Sequence, residues 1–138
     1  MLLFGLGLTL GNMLGGWAAD RWPVRSMFAI LASLATVELA LHFGSRVPAL
    51  VVACVVLWGM AAFATAPGLQ SRVLGEAADA PALSSTLNIA AFNLGNAGAA
   101  WLGAEALRAG LGLSWLPLLS AGLALTALAL LAAMERGR

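Results

Sequence analysis

The chain has 138 residues, of which 62% are hydrophobic and 9% charged, with a net charge of +1 and a mean hydropathy of +0.95. A water-soluble domain carries about 25% charged and about 45–50% apolar residues, so polar surface is too scarce here to cover a soluble globule and the lipid bilayer is the expected solvent. The basic residues are scattered arginines, which argues against a nucleic-acid partner, and the single cysteine, Cys54, excludes an internal disulfide or a cysteine metal cluster.

A spanning helix needs about 20 mostly apolar residues. Five segments meet that requirement: 1–19, 26–44, 48–67, 82–107 and 114–134. The first contains Gly5, Gly7, Gly11, Gly15 and Gly16. Small residues at four-residue spacing, here Gly7, Gly11 and Gly15, permit close helix–helix approach in lipid. No basic residue precedes this segment, so it reads as a span and not as a secretory leader. A chain that starts directly inside a span is expected to be a cut one.

The first connection, "DRWPVR", holds Asp20, Arg21 and Arg25. The second segment is rich in Leu and Ala. It carries Glu38 and His42, four residues apart and therefore on one face. A carboxylate and an imidazole in a membrane suit a proton relay; snorkelling to the interface, or a stabilising pair, is the plainer reading. The third segment holds Cys54, a small buried hydrophobe, with Trp58 and Met60. These two suit contact with an apolar solute, or simple packing. The connection "PGLQSRVLGEAADAP" follows, with Pro67 expected at the end of the third span and Asp79 expected to cap the fourth.

The fourth segment repeats the small-residue spacing in Gly95, Ala99 and Gly103 and adds Asn88, Asn93 and Asn96. On a helix Asn88 and Asn96 lie about 80° apart, with Asn93 further round, so the three cannot serve one narrow contact. They suit either interhelical packing or the lining of a cavity. Glu105 and Arg108 are expected to pair locally. The fifth segment is Leu/Ala-rich, and Trp101 and Trp115 fit an interfacial aromatic belt. On composition, the first and fourth segments are packing helices and the second and fifth peripheral. Arg21, Arg25, Arg72, Arg136 and Arg138 fall on one side and Arg46 and Arg108 on the other, which puts the C-terminus in the cytoplasm. No nucleophile–base pair, phosphate loop or metal-ligand cluster is present, so no enzyme chemistry, metal or cofactor is expected.

The stretch "GGWAADRWPVR" resembles the loop motif of the major facilitator superfamily. Gly16, Asp20, Arg21 and Arg25 match it; Pro23 stands where a second Gly is usual and Val24 where a base often stands. The run "APGLQSRVLGEAADAPALSSTLNIAAFNLGNAGAAWLGAEALRAGLGLSWLPLLSAG" is similar to the tenth-to-twelfth helix region of bacterial drug:proton antiporter-type facilitators, with arabinose-efflux-like permeases as the nearest group. The resemblance implies an all-α membrane fold in which this chain supplies helices eight to twelve, a truncated C-terminal six-helix bundle, with the seven N-terminal helices missing. It implies a multi-pass protein of the bacterial inner membrane. The full-length parent would export a small organic solute, drug-like or sugar-like, in exchange for protons by alternating access. Gly16, Asp20, Arg21 and Arg25 would form a conformation-dependent latch. The competing reading is a small helical membrane protein that packs with partner subunits and transports nothing.

Overall fold

The computed structural model describes residues 2–77 and 79–137, apart from the side chains of residues 2–4 and 6. Met1, at the start of the first expected span, and Arg138, in the cytoplasmic arginine set, lie outside the described residues. The described chain is helical: α1 (Leu2–Arg21), α2 (Pro23–Gly44), α3 (Pro48–Glu76), α4 (Pro81–Arg108) and α5 (Leu116–Arg136), with a single 3-10 turn at Leu113–Trp115 ahead of α5. This is an all-α membrane fragment. Among the described residues three helical stretches, Pro23–Gly44, Pro48–Glu76 and Leu113–Arg136, are long and apolar enough to cross a membrane. The asparagines of α4 lower the hydropathy of that helix.

Prolines set the helix starts. Pro23, Pro48 and Pro81 each occupy the first turn of their helix, where the missing N–H costs nothing and the fixed φ is already helical. The residue before α4 is Ala80, which makes no side-chain cap. Asp79 therefore does not cap α4 as expected: it stands one residue too early. At the other end of α4, Gly110 adopts φ 88°. Its N–H bonds the Leu107 carbonyl at 3.0 Å and the Leu111 N–H bonds the Ala106 carbonyl at 3.1 Å. That reciprocal pair is a Schellman stop, and the left-handed residue it needs is the reason for a glycine there.

The sequence places the end of the third span at Pro67, yet α3 runs through Pro67 and continues to Glu76. Proline removes one backbone bond within a helix, but the residues beyond it, "GLQSRVLGE", include several good helix formers. They are also tied to neighbours: Gln70 bonds to α4, and Arg72 forms an ion pair with Glu135 of α5. At 29 residues and a rise of about 1.5 Å each, α3 is roughly 44 Å long, more than the hydrocarbon thickness of about 30 Å.

The helix pairing follows side-chain size. The longest contact is α1 on α3, followed by α2 on α5 and α2 on α3. A Cβ added at Gly7 would fall 2.7 Å from the Val56 carbonyl oxygen, one at Gly11 2.7 Å from Met60 Cα, and one at Gly15 2.5 Å from Ala64 Cα. The four-residue stripe on α1 thus lies on a four-residue row of α3 backbone, the close approach that glycine permits. The expected division of roles holds for α1 and fails elsewhere. Gly95 and Gly98 of α4 have nothing within 4 Å of an added Cβ, and residues 89–102 of α4 are exposed throughout. The second and fifth helices, expected at the periphery, instead pack together and hold Met27, Ala35, Glu38 and Ala121 among the buried residues. Among the α4 glycines, Gly103 meets the Leu116 side chain of α5, 3.9 Å from an added Cβ, while Gly95 and Gly98 have open space.

Candidate functional site

A cavity of about 480 Å³ opens between α1, α3 and α4, lined by Asn12, Pro67, Gln70, Asn88, Phe92 and Asn93 with neighbouring apolar residues. One wall is a chain of side-chain amides. Asn88 Nδ2 donates to Gln70 Oε1 at 2.6 Å, and Gln70 Nε2 donates to Ser85 Oγ at 2.8 Å. Gln70 acts as both donor and acceptor, so the chain fixes its orientation and leaves the Asn88 carbonyl oxygen for a further donor. A concave space with apolar walls and a few convergent polar groups is the usual form of a small-molecule site.

Of the five residues expected to line a cavity or an interhelical contact, Asn88 and Asn93 line this space. Asn96 is exposed on α4 outside it. Met60 lies under Gly11 in the α1–α3 contact. Trp58 lines a different cavity with Glu38. Two residues of the amide-lined cavity, Asn12 and Gln70, were not among the expected ones. Asn12 is a lone amide beside the glycine stripe, and its signal was a polar residue in an apolar segment. Gln70 lay in what reads as a connection after Pro67, and only the continuation of α3 carries it to α4.

The loop residues lie at one end of this assembly. Gly16 faces Pro67, whose Cβ lies 3.9 Å from an added Cβ. Asp20, Arg21 and Arg25 are exposed and make no ion pair among the described residues. The Arg21 guanidinium sits 5.7 Å from the Trp22 ring centre, and Trp22 meets Trp17 edge-on at 5.6 Å. The tie between elements at this end is instead made by Arg72 Nη2 donating to Glu135 Oε1, across α3 and α5. The expected local pair of Glu105 and Arg108 forms on α4.

Glu38 and His42 share a face of α2 but not a bond. Glu38 is 6% exposed and lines a cavity together with Trp58 of α3 and Ser120 of α5; it does not snorkel. His42 Nδ1 donates to the Ser114 carbonyl at 2.6 Å, and its ring lies 5.5 Å from that of Trp115. A carbonyl only accepts, so Nδ1 carries the proton. Among the described residues no group of three or more His, Cys, Asp or Glu could hold a metal ion.

The chain is similar over most of its length to known transport proteins. The chain is 44% identical over 128 residues to the inner membrane transport protein YdhP of Escherichia coli (strain K12), a match that covers 91% of this chain and 33% of YdhP. It is 29% identical over 116 residues to the MFS-type transporter YfhI of Bacillus subtilis (strain 168), covering 84% of this chain and 29% of YfhI. A match of 36% identity over 91 residues to the chloramphenicol efflux pump Rv0191 of Mycobacterium tuberculosis covers 61% of this chain and 22% of that protein. The chain spans about a third or less of the length of these curated relatives. No family profile and no solved structure matches it. With relatives named as transporters across nine-tenths of its length, and with long apolar helices packed through a glycine stripe, the chain belongs to the major facilitator superfamily of membrane transporters.

Proposed function

We propose that the chain is the C-terminal part of a secondary active efflux transporter that exports a small organic solute, drug-like or sugar-like, by proton antiport. The observation that carries this reading is the amide-lined cavity between α1, α3 and α4, in a chain whose relatives are named for transport and efflux. Neutral amides suit an uncharged polar solute, because they offer donors and acceptors without a fixed charge. All five helices span the membrane in this reading, with α1 and α4 against protein and so freer to carry glycine and asparagine. The open face of α4 then receives helices from the rest of the transporter. The cytoplasmic face carries Arg21, Arg25 and Arg72 and the C-terminus.

Alternating access moves two bundles about the cavity. Gly16, Asp20, Arg21 and Arg25 act as the latch between facings. Asp20 and the two arginines, unpaired and exposed here, gain partners in the opposite facing. Glu38 and His42 are the candidates within this chain for carrying the coupled proton, Glu38 being the buried one. The test is solute accumulation in efflux-deficient cells that express the transporter containing this segment. Lower accumulation that is abolished by a protonophore is expected. Accumulation equal to that of empty-vector cells would overturn the reading.

A further inference from the structure

A further cavity, of about 370 Å³, lies where the C-terminal turns of α3 and α5 meet the start of α2. Met27, Leu69, Leu131 and Met134 form its apolar wall, and Arg72 and Glu76 are its charged groups. Met27 is buried and Met134 is 62% exposed, so the cavity is deep at α2 and open beside α5. At roughly 44 Å, α3 outruns a hydrocarbon layer of about 30 Å, and its last turns, which carry Arg72 and Glu76, stand at headgroup level. A cavity there, apolar below and charged at its rim, has the form of a site for an amphiphile.

The charges say which amphiphile. Arg72 Nη2 donates to Glu135 Oε1, while Arg72 Nη1 is buried and has no acceptor among the described residues. A charged donor left unmade in a buried place is costly, so an incoming acceptor gains more here than at an exposed arginine. A lone anion does not fit. Glu135 already neutralises Arg72, and Glu76, four residues on and so on the same face of α3, adds a second carboxylate. A lone cation would leave Nη1 unmade. A zwitterion, with its anionic group at Arg72 and its ammonium at Glu76, answers both. A carboxylate accepts from N–H donors, which a primary ammonium carries and a quaternary one lacks. Methionine walls are adaptable enough to admit the headgroup and follow an acyl chain. We propose that this cavity binds a zwitterionic phospholipid with a primary-amine headgroup: phosphate on Arg72, ammonium on Glu76, and one acyl chain along Met27, Leu131 and Met134.

Native mass spectrometry of the 138-residue chain, released from detergent and titrated with dioleoyl lipids that differ only in headgroup, tests the site. Phosphatidylethanolamine is expected to bind saturably. Phosphatidylcholine, phosphatidylglycerol and diacylglycerol, which lack the N–H donors, the positive charge and the phosphate respectively, should each bind about fivefold or more weakly. Glu76→Gln, nearly the same shape without the charge, should bring phosphatidylethanolamine down to the phosphatidylcholine level. On the unaltered chain, phosphatidylethanolamine with a photoreactive acyl chain should label Met27 or residues 131–134. Excess phosphatidylethanolamine should suppress that label and phosphatidylglycerol should not, which keeps the test decisive if the variant fails to fold. Binding of any of the other three lipids as tight as that of phosphatidylethanolamine, an ethanolamine preference undiminished in Glu76→Gln, or labelling elsewhere would each overturn the site. Binding is read without transport, so failure here leaves the efflux reading standing, and failure of efflux leaves this site standing.

Discussion

Gly11 of α1 lies against the backbone of Met60 of α3 so closely that an added Cβ would fall 2.7 Å from Met60 Cα. The obstacle is main chain, not a flexible side-chain tip, so no rotamer change makes room. Gly7 and Gly15 stand in the same relation to Val56 and Ala64. The α1–α3 contact is therefore the most sequence-sensitive one in the chain.

Gly11→Leu should separate α1 from α3, at a cost of about 1–3 kcal/mol or more, and lower the folded yield in detergent sharply. Gly95→Leu, with open space at its Cβ, should leave the yield of this chain near the parental value. Equal loss at both sites would show that α4 is packed within the chain after all.

Arg72 and Glu135 tie α3 to α5, and their side chains are 20% and 21% exposed. Arg72→Ala or Glu135→Ala should each destabilise by roughly 1–3 kcal/mol, the range of a charge-assisted hydrogen bond. The double variant should lose less than the sum. Thermal unfolding in detergent, at low and high salt, measures this; additive losses would mean that the pair is not energetically coupled.

The amide chain offers a sharper test of the central cavity. Asn88→Leu removes the donor to Gln70 Oε1 and should cost about 1 kcal/mol of stability. In the full transporter it should cut solute export several-fold. Asn96→Leu, outside the cavity, should leave the stability of this chain unchanged. Export by Asn88→Leu at the parental rate would remove the cavity from the transport path.

For the loop, Asp20→Asn keeps the shape and removes the charge. In the full transporter, solute binding should survive while transport falls and the balance of inward and outward facings shifts. Arg25→Ala should act in the same direction, with a double variant that loses less than the sum. Parental transport with unchanged accessibility would reduce the three charges to topology markers.

Orientation is checked by reporter fusions after Arg25, Arg46 and Arg136. Cytoplasmic activity is expected at the first and last and periplasmic activity at Arg46. Periplasmic activity after Arg25 or Arg136 would reverse the assignment.

Much of this architecture is local and so was legible in the residues alone. Apolar runs of spanning length dictate helices in lipid, and prolines 23, 48 and 81 lie where three of them start. The Gly7–Gly11–Gly15 stripe declared a close contact before its partner was known. What the tertiary structure decided was partnership. Two similar stripes, on α1 and α4, differ in that one lies on the α3 backbone, whereas the glycines of the other reach no backbone and meet only the Leu116 side chain, at Gly103. Composition cannot tell them apart, because a small residue permits close approach without choosing the neighbour. Gln70 reached the cavity because contacts from α4 and α5 hold α3 helical past Pro67, where local propensity signals a stop. Glu38 is buried for the same kind of reason: Trp58 and Ser120, from two other helices, converge on it, and a pattern read along one helix holds no information about what the others bring.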